Sequence, residues 1–499
     1  MYKRTGFIFS ARNENNSSNI KYLKKNTELS FETDKNNLSH KLIIGDNYDA
    51  LKQLLINHRN KIDVIYIDPP YGCNSMGEFA KTNYSNEITR DNLLSMLYTR
   101  LQLAKQLLSE DGVIFCSIDD KNQAYIKCLF DEIFGEEKFL FVAPRITKKG
   151  GKSTDTIQKN HDYIIAYAMN SDIVFTQEEK NISTYNLEDE YVETRGKYKL
   201  TQTLDYNSLQ YSKNMDYPIE INGKVFVPGG DMKLHEDRLN GNHGKTDWVW
   251  RWSKSAVEWG LTQGLIVVKG NRIYTKTYLN CRKKNGKNEF EYIDATKSYT
   301  TLSYLDNEYS NDNGKKELDK IFENSNTLFK NPKPTKLVET LIKMMCDNKN
   351  AIILDFFAGS GTTGQAVLEL NKQDGGNRRF ILCTNNEITS ENPTGIAYDV
   401  TSKRLKRVMT GSCYNGFDNF KWIKDHDNYG DNLEVTEIKE ISPTVSNKNN
   451  TPFDIIDETL YDILPFENKE DKISWICTHF QNTMKKIETD TEYINRWGE

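Results

Sequence analysis

Long apolar runs are missing from this chain. None approaches the roughly eighteen uninterrupted apolar residues that a membrane span requires, mean hydropathy is −0.70, and a soluble protein is expected. The N-terminal stretch from Met1 to Ser10 is too short in apolar residues for a secretory core and has no small-residue cleavage pattern, so export is not expected. Paired cysteines are absent as well. The eight cysteines, at 73, 116, 128, 281, 346, 383, 413 and 477, form no Cys-x-x-Cys and have no histidine cluster beside them. Neither a zinc site nor a disulfide framework is expected, and reduced thiols in a cytoplasmic protein are. Nor is there a basic excess. A net charge of −5 and a pI near 6.0 argue against non-specific coating of nucleic acid, which phosphate neutralisation drives. Any nucleic-acid site must be a local basic surface.

What is present is enough chain for two to four structural units, at 499 residues. Residues 1–40 are polar and Asn/Lys-rich and read as an arm. Leu42-Ile43-Ile44 is a short buried strand ending in Gly45-Asp46, and Asn47 to Leu55 can follow as a helix. Ile62 to Ile67, interrupted only by Asp63, runs straight into Asp68-Pro69-Pro70-Tyr71, where two prolines end strand pairing. Apolar positions 93, 97, 101, 104 and 108 recur at helical spacing, and Gly112 to Ile118 is again a buried strand. Strands alternating with helices in this way imply a doubly wound, parallel α/β sheet.

The rhythm stops near Pro144. Residues 146–325 mix glycine pairs, Tyr, Asn and charges, and hold four of the seven tryptophans, at 248, 250, 252 and 259, whose rings are more simply core than surface. An inserted domain is the simplest account. The rhythm resumes after Lys333-Pro334: Ala351 to Leu354 feeds Asp355-Phe356-Phe357-Ala358-Gly359-Ser360-Gly361-Thr362-Thr363, a helix follows, and Phe380 to Cys383 forms another strand, ending near Glu387. Residues 413–499 read as an extension with a polar linker at 443–452 and an amphipathic stripe from Ile473 to Ile487, which can pack internally or bind a partner.

Two segments carry chemistry. An exocyclic base amine is a poor nucleophile because its lone pair is delocalised into the ring. Acceptors aimed at its hydrogens in a dry, preorganised site make it competent. The Asp68 carboxylate can supply one acceptor and the Pro69 carbonyl another, with Pro70 fixing the bend and Tyr71 free to stack on a base extruded from its duplex. The plainer reading of these four residues is a tight turn. In the second segment a strand ends in a carboxylate and glycines permit close backbone approach before a helix N-terminus. No Lys follows the glycines as in phosphate loops, and the spacing is not Gly-x-Gly-x-x-Gly. Asp355 would repel a phosphate and suit a cationic amino-acid moiety, while Glu387 is placed for ribose hydroxyls. Basic runs occur at Lys148-Lys149-Gly150-Gly151-Lys152 with Lys159, and at Arg282 to Lys287; each alone is more simply a solvated loop.

Together these segments resemble the amino-methyltransferases of DNA restriction-modification systems in the permuted (beta) arrangement, where the catalytic motif precedes the cofactor loop. The resemblance extends to Gly45 through Leu51, Asp111 through Asp120, Asp131 through Gly135, His161-Asp162-Tyr163-Ile164, the tryptophan segment and Lys333-Pro334, and is nearest to the modification subunits of type III systems. One departure is Lys121-Asn122, where an acidic residue is common.

The resemblance implies a Rossmann-like methyltransferase sheet in two halves, 41–145 and 326–412, with an α+β target-recognition domain at 146–325. It implies methylation of adenine N6, since cytosine N4 enzymes usually carry Ser where Asp68 stands. Methylation of cytosine N4 or an RNA base, and a specificity subunit for a separate nuclease, stay open. S-adenosylmethionine is the implied cofactor, with S-adenosylhomocysteine as product and no metal. Its contacts would be Asp355, Phe357, Ala358, Gly359, Ser360, Gly361, Thr362 and Thr363, with Lys333 and Glu387 as neighbours. Double-stranded DNA, gripped by Lys148, Lys149, Lys152 and Lys159, a second copy of the chain and a helicase-nuclease subunit are the implied partners, in a bacterial or archaeal cytoplasm.

Overall fold

A computed structural model describes residues 18–71, 90–150, 157–322, 328–345, 347–443 and 451–484. Lys152, Cys73, Cys346, Ile487, the first part of the N-terminal arm and most of the 443–452 linker lie outside them. Two compact units are present, one formed by residues 1–176 with 300–499 and the other by 177–299.

The larger unit is built on a nine-stranded sheet. In chain order its strands are β1 (Ile20–Lys25), β2 (Ser39–Ile44), β3 (Ile62–Ile67), β4 (Leu108–Ile118), β5 (Phe139–Ile146), β6 (His161–Ala168), β7 (Ile352–Asp355), β8 (Arg379–Thr384) and β9 (Asn432–Ile441). Their order across the sheet is β1-β9-β2-β8-β7-β3-β4-β6-β5. Every pairing from β9 to β4 is parallel; β1 with β9, β4 with β6 and β6 with β5 are antiparallel. Helices α1 (Asn47–Leu54), α2 (Arg90–Leu107), α3 (Gln123–Phe134), α4 (Asn311–Phe322), α5 (Thr335–Met345), α6 (Thr362–Asp374), α7 (Ser402–Thr410) and α8 (Lys469–His479) surround it.

Side-chain alternation explains the continuous apolar runs of the central strands. Ile43, Ile65, Ile67, Ile114, Cys116, Leu354 and Ile381 join α1, α2 and α3 in one core. The alternating residues Leu42, Val64, Tyr66, Phe115, Ile353 and Phe380 are also buried, as expected for a sheet covered on both faces. Asp63, the one charge in its run, accepts a hydrogen bond from the Ile352 backbone N–H at 2.8 Å and so ties β3 to β7.

The chain's two halves depart from the expected boundaries. The rhythm that stops near Pro144 conceals β6, whose residues from Ile164 to Ala168 are buried and which lies antiparallel between β4 and β5 without a helix to announce it. The compact insertion is therefore narrower than 146–325. Residues 18–40 are not an arm, since β1 pairs along β9. Nor is the C-terminal part all extension: β9 sits inside the sheet beside β2, and Ile456, Leu460, Tyr461, Ile476 and Phe480 join the main core. Of the stripe, Ile476 and Phe480 are buried in that core and Met484 packs against it, while Cys477 is exposed.

The unit 177–299 is α+β. A three-stranded antiparallel sheet (Tyr198–Thr203, Arg272–Tyr278, Ile266–Lys269), short two-stranded pairs and the helices Met232–Leu239 and Lys254–Thr262 make it up. Trp250 is buried with Leu204, Ile219, Phe226, Val257 and Ile273, and Trp252 packs on the same cluster. Trp259 packs with Leu265, Tyr278 and Cys281. The basic run at 282–287 is a hairpin whose charges are paired internally: Arg282 with Glu291 at 2.7 Å, Lys284 with Glu289 at 3.1 Å. Among the described residues no helix is long and apolar enough to cross a membrane.

The docked C-terminal segment is keyed by Tyr461, whose hydroxyl accepts from the Leu23 N–H at 2.9 Å and donates to Gln53 Oε1 at 2.8 Å. Tyr461→Phe leaves two buried polar groups unpaired and is expected to lower stability by about 1–3 kcal/mol, read by urea unfolding against the wild type.

Candidate active site

The two motifs meet at the carboxyl edge of adjacent strands. Ile353 pairs with Val64 and Leu354 with Ile65, so Asp355 at the end of β7 and Asp68 just past β3 sit on neighbouring strand ends. From here β7 leads through α6 to β8 on one side, and β3 leads through α2 to β4 on the other. That is the topological switch point, where open α/β sheets bind ligands.

Asp355 is 2% exposed. One oxygen accepts from the Phe357 N–H at 2.9 Å and the other from Thr363 Oγ1 at 2.5 Å. Burial pushes its carboxyl up to about 7; the two hydrogen bonds oppose the rise, the charge of Asp68 adds to it, and Lys333 opposes it. A buried carboxylate bonded by neutral donors favours a cationic partner, as a sulfonium-bearing amino acid would be. Gly359 (φ 48°) and Gly361 (φ 79°) take left-handed backbone in which a side chain is strained. Thr401 Oγ1 donates to the Gly359 carbonyl at 2.6 Å. Arg404, fully buried, braces the loop from α7 through Thr362 Oγ1 at 2.8 Å, Ser360 Oγ at 3.2 Å and Gln365 Oε1 at 2.9 Å; burial lowers its guanidinium to about 10. Asn47, one residue past the Gly45-Asp46 turn, donates to the Phe356 carbonyl at 2.8 Å.

The Asp-Pro-Pro-Tyr turn is held by charges. Lys333 Nζ donates to Asp68 Oδ2 at 2.5 Å and to the Tyr71 hydroxyl at 3.0 Å, and lies 5.0 Å from the Tyr71 ring centre. Its carbonyl accepts from Thr362 Oγ1 at 3.2 Å. Lys333 therefore bridges the two motifs, with its ammonium on Asp68 and its backbone on the glycine loop. The Tyr71 hydroxyl lies 2.8 Å from Asp68 Oδ1 and 3.3 Å from Asp162 Oδ2. Burial, then the charges of Asp68 and Asp162, hold its phenol well above the ordinary range. Asn122 donates to the Tyr71 carbonyl at 2.9 Å and to Asp119 Oδ1 at 2.8 Å, so the residue that departs from the family pattern fixes the turn from α3's N-terminal side.

Asp68, Pro69, Pro70, Tyr71, Lys333 and 355–363 thus converge on one edge. Glu387 is half-buried in the loop after β8, its carbonyl accepting from Ile396 N–H at 2.9 Å. Lys148 and Lys149 follow β5, and Lys159 precedes β6 with Asp120 at 3.4 Å. Sequence reasoning gave no role to Asp162, Arg145, Asn47 or Arg404. Asn47, within Gly45 through Leu51, and Asp162, within His161-Asp162-Tyr163-Ile164, lay in segments that carried the resemblance but no chemistry.

Fold and site define a doubly wound α/β protein with an acidic turn and an acid-led glycine loop at its switch point. The family model described as DNA methylase, of the N6/N4 type, matches residues 62–393, and the chain belongs to that family. A second model, described as an uncharacterised conserved protein, matches residues 1–64. The type III restriction-modification enzyme StyLTI Mod subunit of Salmonella typhimurium is 31% identical over 75% of this chain and 57% of its own length. The EcoPI Mod subunit of Escherichia phage P1 is 30% identical over 75% and 63%. The type II methyltransferase M.KpnI of Klebsiella pneumoniae is 30% identical over 77% of this chain and 90% of its own. The chain thus spans about three-fifths of the two Mod subunits. The solved PvuII DNA methyltransferase (cytosine-N4-specific) matches at 14% identity over 70% of this chain and 83% of its own, with a TM-score of 0.29, a likeness too distant to bear on chemistry.

The linkage for Asp355 has a definite sign. The unfolded carboxyl ionises near 3.8 and the folded one near 7, so between these values the folded state binds more protons and stability falls as pH rises. The full penalty stands above 7 and vanishes below 3.8. Asp355→Asn is expected to remove it, gaining on the order of 1–4 kcal/mol relative to wild type between pH 4 and pH 8, measured by unfolding of the ligand-free proteins.

Proposed function

We propose that the chain is a site-specific DNA methyltransferase that moves a methyl group from S-adenosylmethionine to N6 of a flipped-out adenine in double-stranded DNA. On this reading it is the modification and specificity component of a restriction-modification system. The observation that carries the reading is the juxtaposition of Asp68 and Asp355 on hydrogen-bonded parallel strands, bridged by Lys333. Asp68 and the Pro69 carbonyl accept from the two amine hydrogens, drawing the nitrogen toward tetrahedral geometry in a preorganised site. Tyr71, with its hydroxyl tied to Asp68, offers the ring face to the base.

When bound, S-adenosylmethionine supplies an electrophilic methyl on a cationic sulfur. Asp355 and the loop from Phe357 through Ala358, Gly359, Ser360, Gly361 and Thr362 to Thr363 hold its amino-acid part, and Glu387 its ribose hydroxyls. S-adenosylhomocysteine is the product. Lys333 Nζ and the Tyr71 hydroxyl each hold one Asp68 oxygen, so the amine competes with both for the lone pairs of that carboxylate. The unit 177–299 reads the target, Lys148, Lys149, Lys152 and Lys159 grip the backbone, and the protein works as a dimer in the cytoplasm, with a helicase-nuclease subunit as partner. The type III Mod relatives support the last of these.

Single-molecule sequencing of DNA from cells producing the protein is expected to show N6-methyladenine in one sequence context; N4-methylcytosine would redirect the base assignment, and unmodified DNA would sink the reading. Asp68→Ala is expected to lower methyl transfer by about 1,000-fold or more while S-adenosylmethionine still binds by calorimetry.

A further inference from the structure

The Tyr71 hydroxyl has one proton and two carboxylates within reach, Asp68 Oδ1 at 2.8 Å and Asp162 Oδ2 at 3.3 Å. Lys333, at 3.0 Å, can only donate to it. In the proposed reaction Asp68 must turn its acceptors toward the base amine. The hydroxyl then needs another acceptor, or a buried O–H is stranded.

Asp162 is built to be that acceptor. It is 2% exposed, and Arg145 opposite it on β5 is fully buried. Arg145 Nε donates to Asp162 Oδ1 at 2.8 Å and Nη2 donates to Oδ2. Its Nη1 is fixed by the Tyr309 carbonyl at 2.7 Å and Asn311 Oδ1 at 3.0 Å. Burial alone would lower the guanidinium, but Asp162 outweighs it and holds Arg145 charged above its usual range. A buried ion pair is poor value for stability alone, because apolar residues of similar volume often do as well. Its position at the carboxyl edge, with one carboxylate oxygen facing the catalytic tyrosine, gives it another use.

We propose that Asp162, clamped by Arg145, is a positioning residue: it takes over the Tyr71 hydroxyl hydrogen bond when Asp68 turns to the substrate amine, freeing Asp68 while the Tyr71 ring stays fixed. No proton changes owner; one hydrogen bond moves between two carboxylates. The inference rests on the proposed methyl transfer and assigns a partner to a group that reading leaves unsatisfied.

The test replaces both charges together, Arg145→Met with Asp162→Leu, so that no ion is left unpaired. Single-turnover methyl transfer is expected to slow about 100-fold, with DNA and S-adenosylmethionine dissociation constants within about threefold. In a Tyr71→Phe background, which has no hydroxyl to hand over, the same pair is expected to change the rate less than about twofold. Equal losses in both backgrounds, weakened binding at an unchanged rate, or an unchanged rate would each overturn it. Should the pair not fold, Asp162→Asn, a neutral and weaker acceptor, is expected to slow transfer about tenfold with the same dependence on Tyr71, and a wild-type rate would overturn the inference. A wild-type protein that transfers methyl beside unaffected variants fails this inference alone; a wild-type protein that transfers none fails the underlying reading and this one with it.

Discussion

The parallel pairing of β3 with β7 is the constraint on which the site depends. It joins segments 289 residues apart at the Asp63–Ile352 bond, and sets Asp68 and Asp355 on adjacent strand ends. Nothing local enforces that meeting. It comes from burial of both sheet faces together with one polar contact, because a one-residue slip of β3 against β7 would break the Asp63–Ile352 bond and exchange Ile65 for a side chain of different shape in the core it shares with Leu354. Once that register is set, the turn and the glycine loop have only one edge on which to emerge.

The site is then a problem in charge placement. Asp68 is matched by Lys333 and Asp162 by Arg145, while Asp355 is bonded only by a hydroxyl and a backbone N–H among the described residues. The unmatched carboxyl is the one that burial pushes up to about 7. A cationic ligand placed there supplies the missing charge and favours the ionised form, so binding and deprotonation support each other. Lys333 connects the two halves of this arrangement, since the side chain that neutralises Asp68 belongs to a residue whose backbone is held by Thr362. A change at the glycine loop can therefore reach the Asp-Pro-Pro-Tyr turn through Lys333.

The motifs themselves were legible because each is a contiguous run ending a strand. Asp68 to Tyr71 and Asp355 to Thr363 carry their own geometry in proline bends and positive-φ glycines. Long-range partners carry none: Arg145 meets Asp162 through antiparallel pairing of β5 and β6, and a strand reached by a loop instead of a helix breaks the rhythm that reveals its neighbours. β9 left a clearer trace. Its buried Leu433, Val435 and Thr436 sit with Ile438 in a segment interrupted by Glu434 and Glu437, a strand signal outweighed by the polar sequence in and around it. Lys333 was expected beside the cofactor loop and lies there by its backbone, but its ammonium points to Asp68, a choice that sequence spacing cannot encode.

All nine strands of the large sheet fall within residues 20–168 and 352–441, so the insertion at 177–299 contributes none of them. Its own cores close around Trp250, Trp252 and Trp259, and the entering chain is pinned to the large unit at Thr176, whose N–H reaches the Met344 carbonyl at 3.0 Å. None of the residues that set the β3–β7 register, the Lys333 bridge or the Asp355 loop belongs to the insertion. On the proposed reading, target choice and methyl transfer are carried by separate cores. Sequence change in the former can alter which site is modified without re-solving the charge balance that makes an amine reactive.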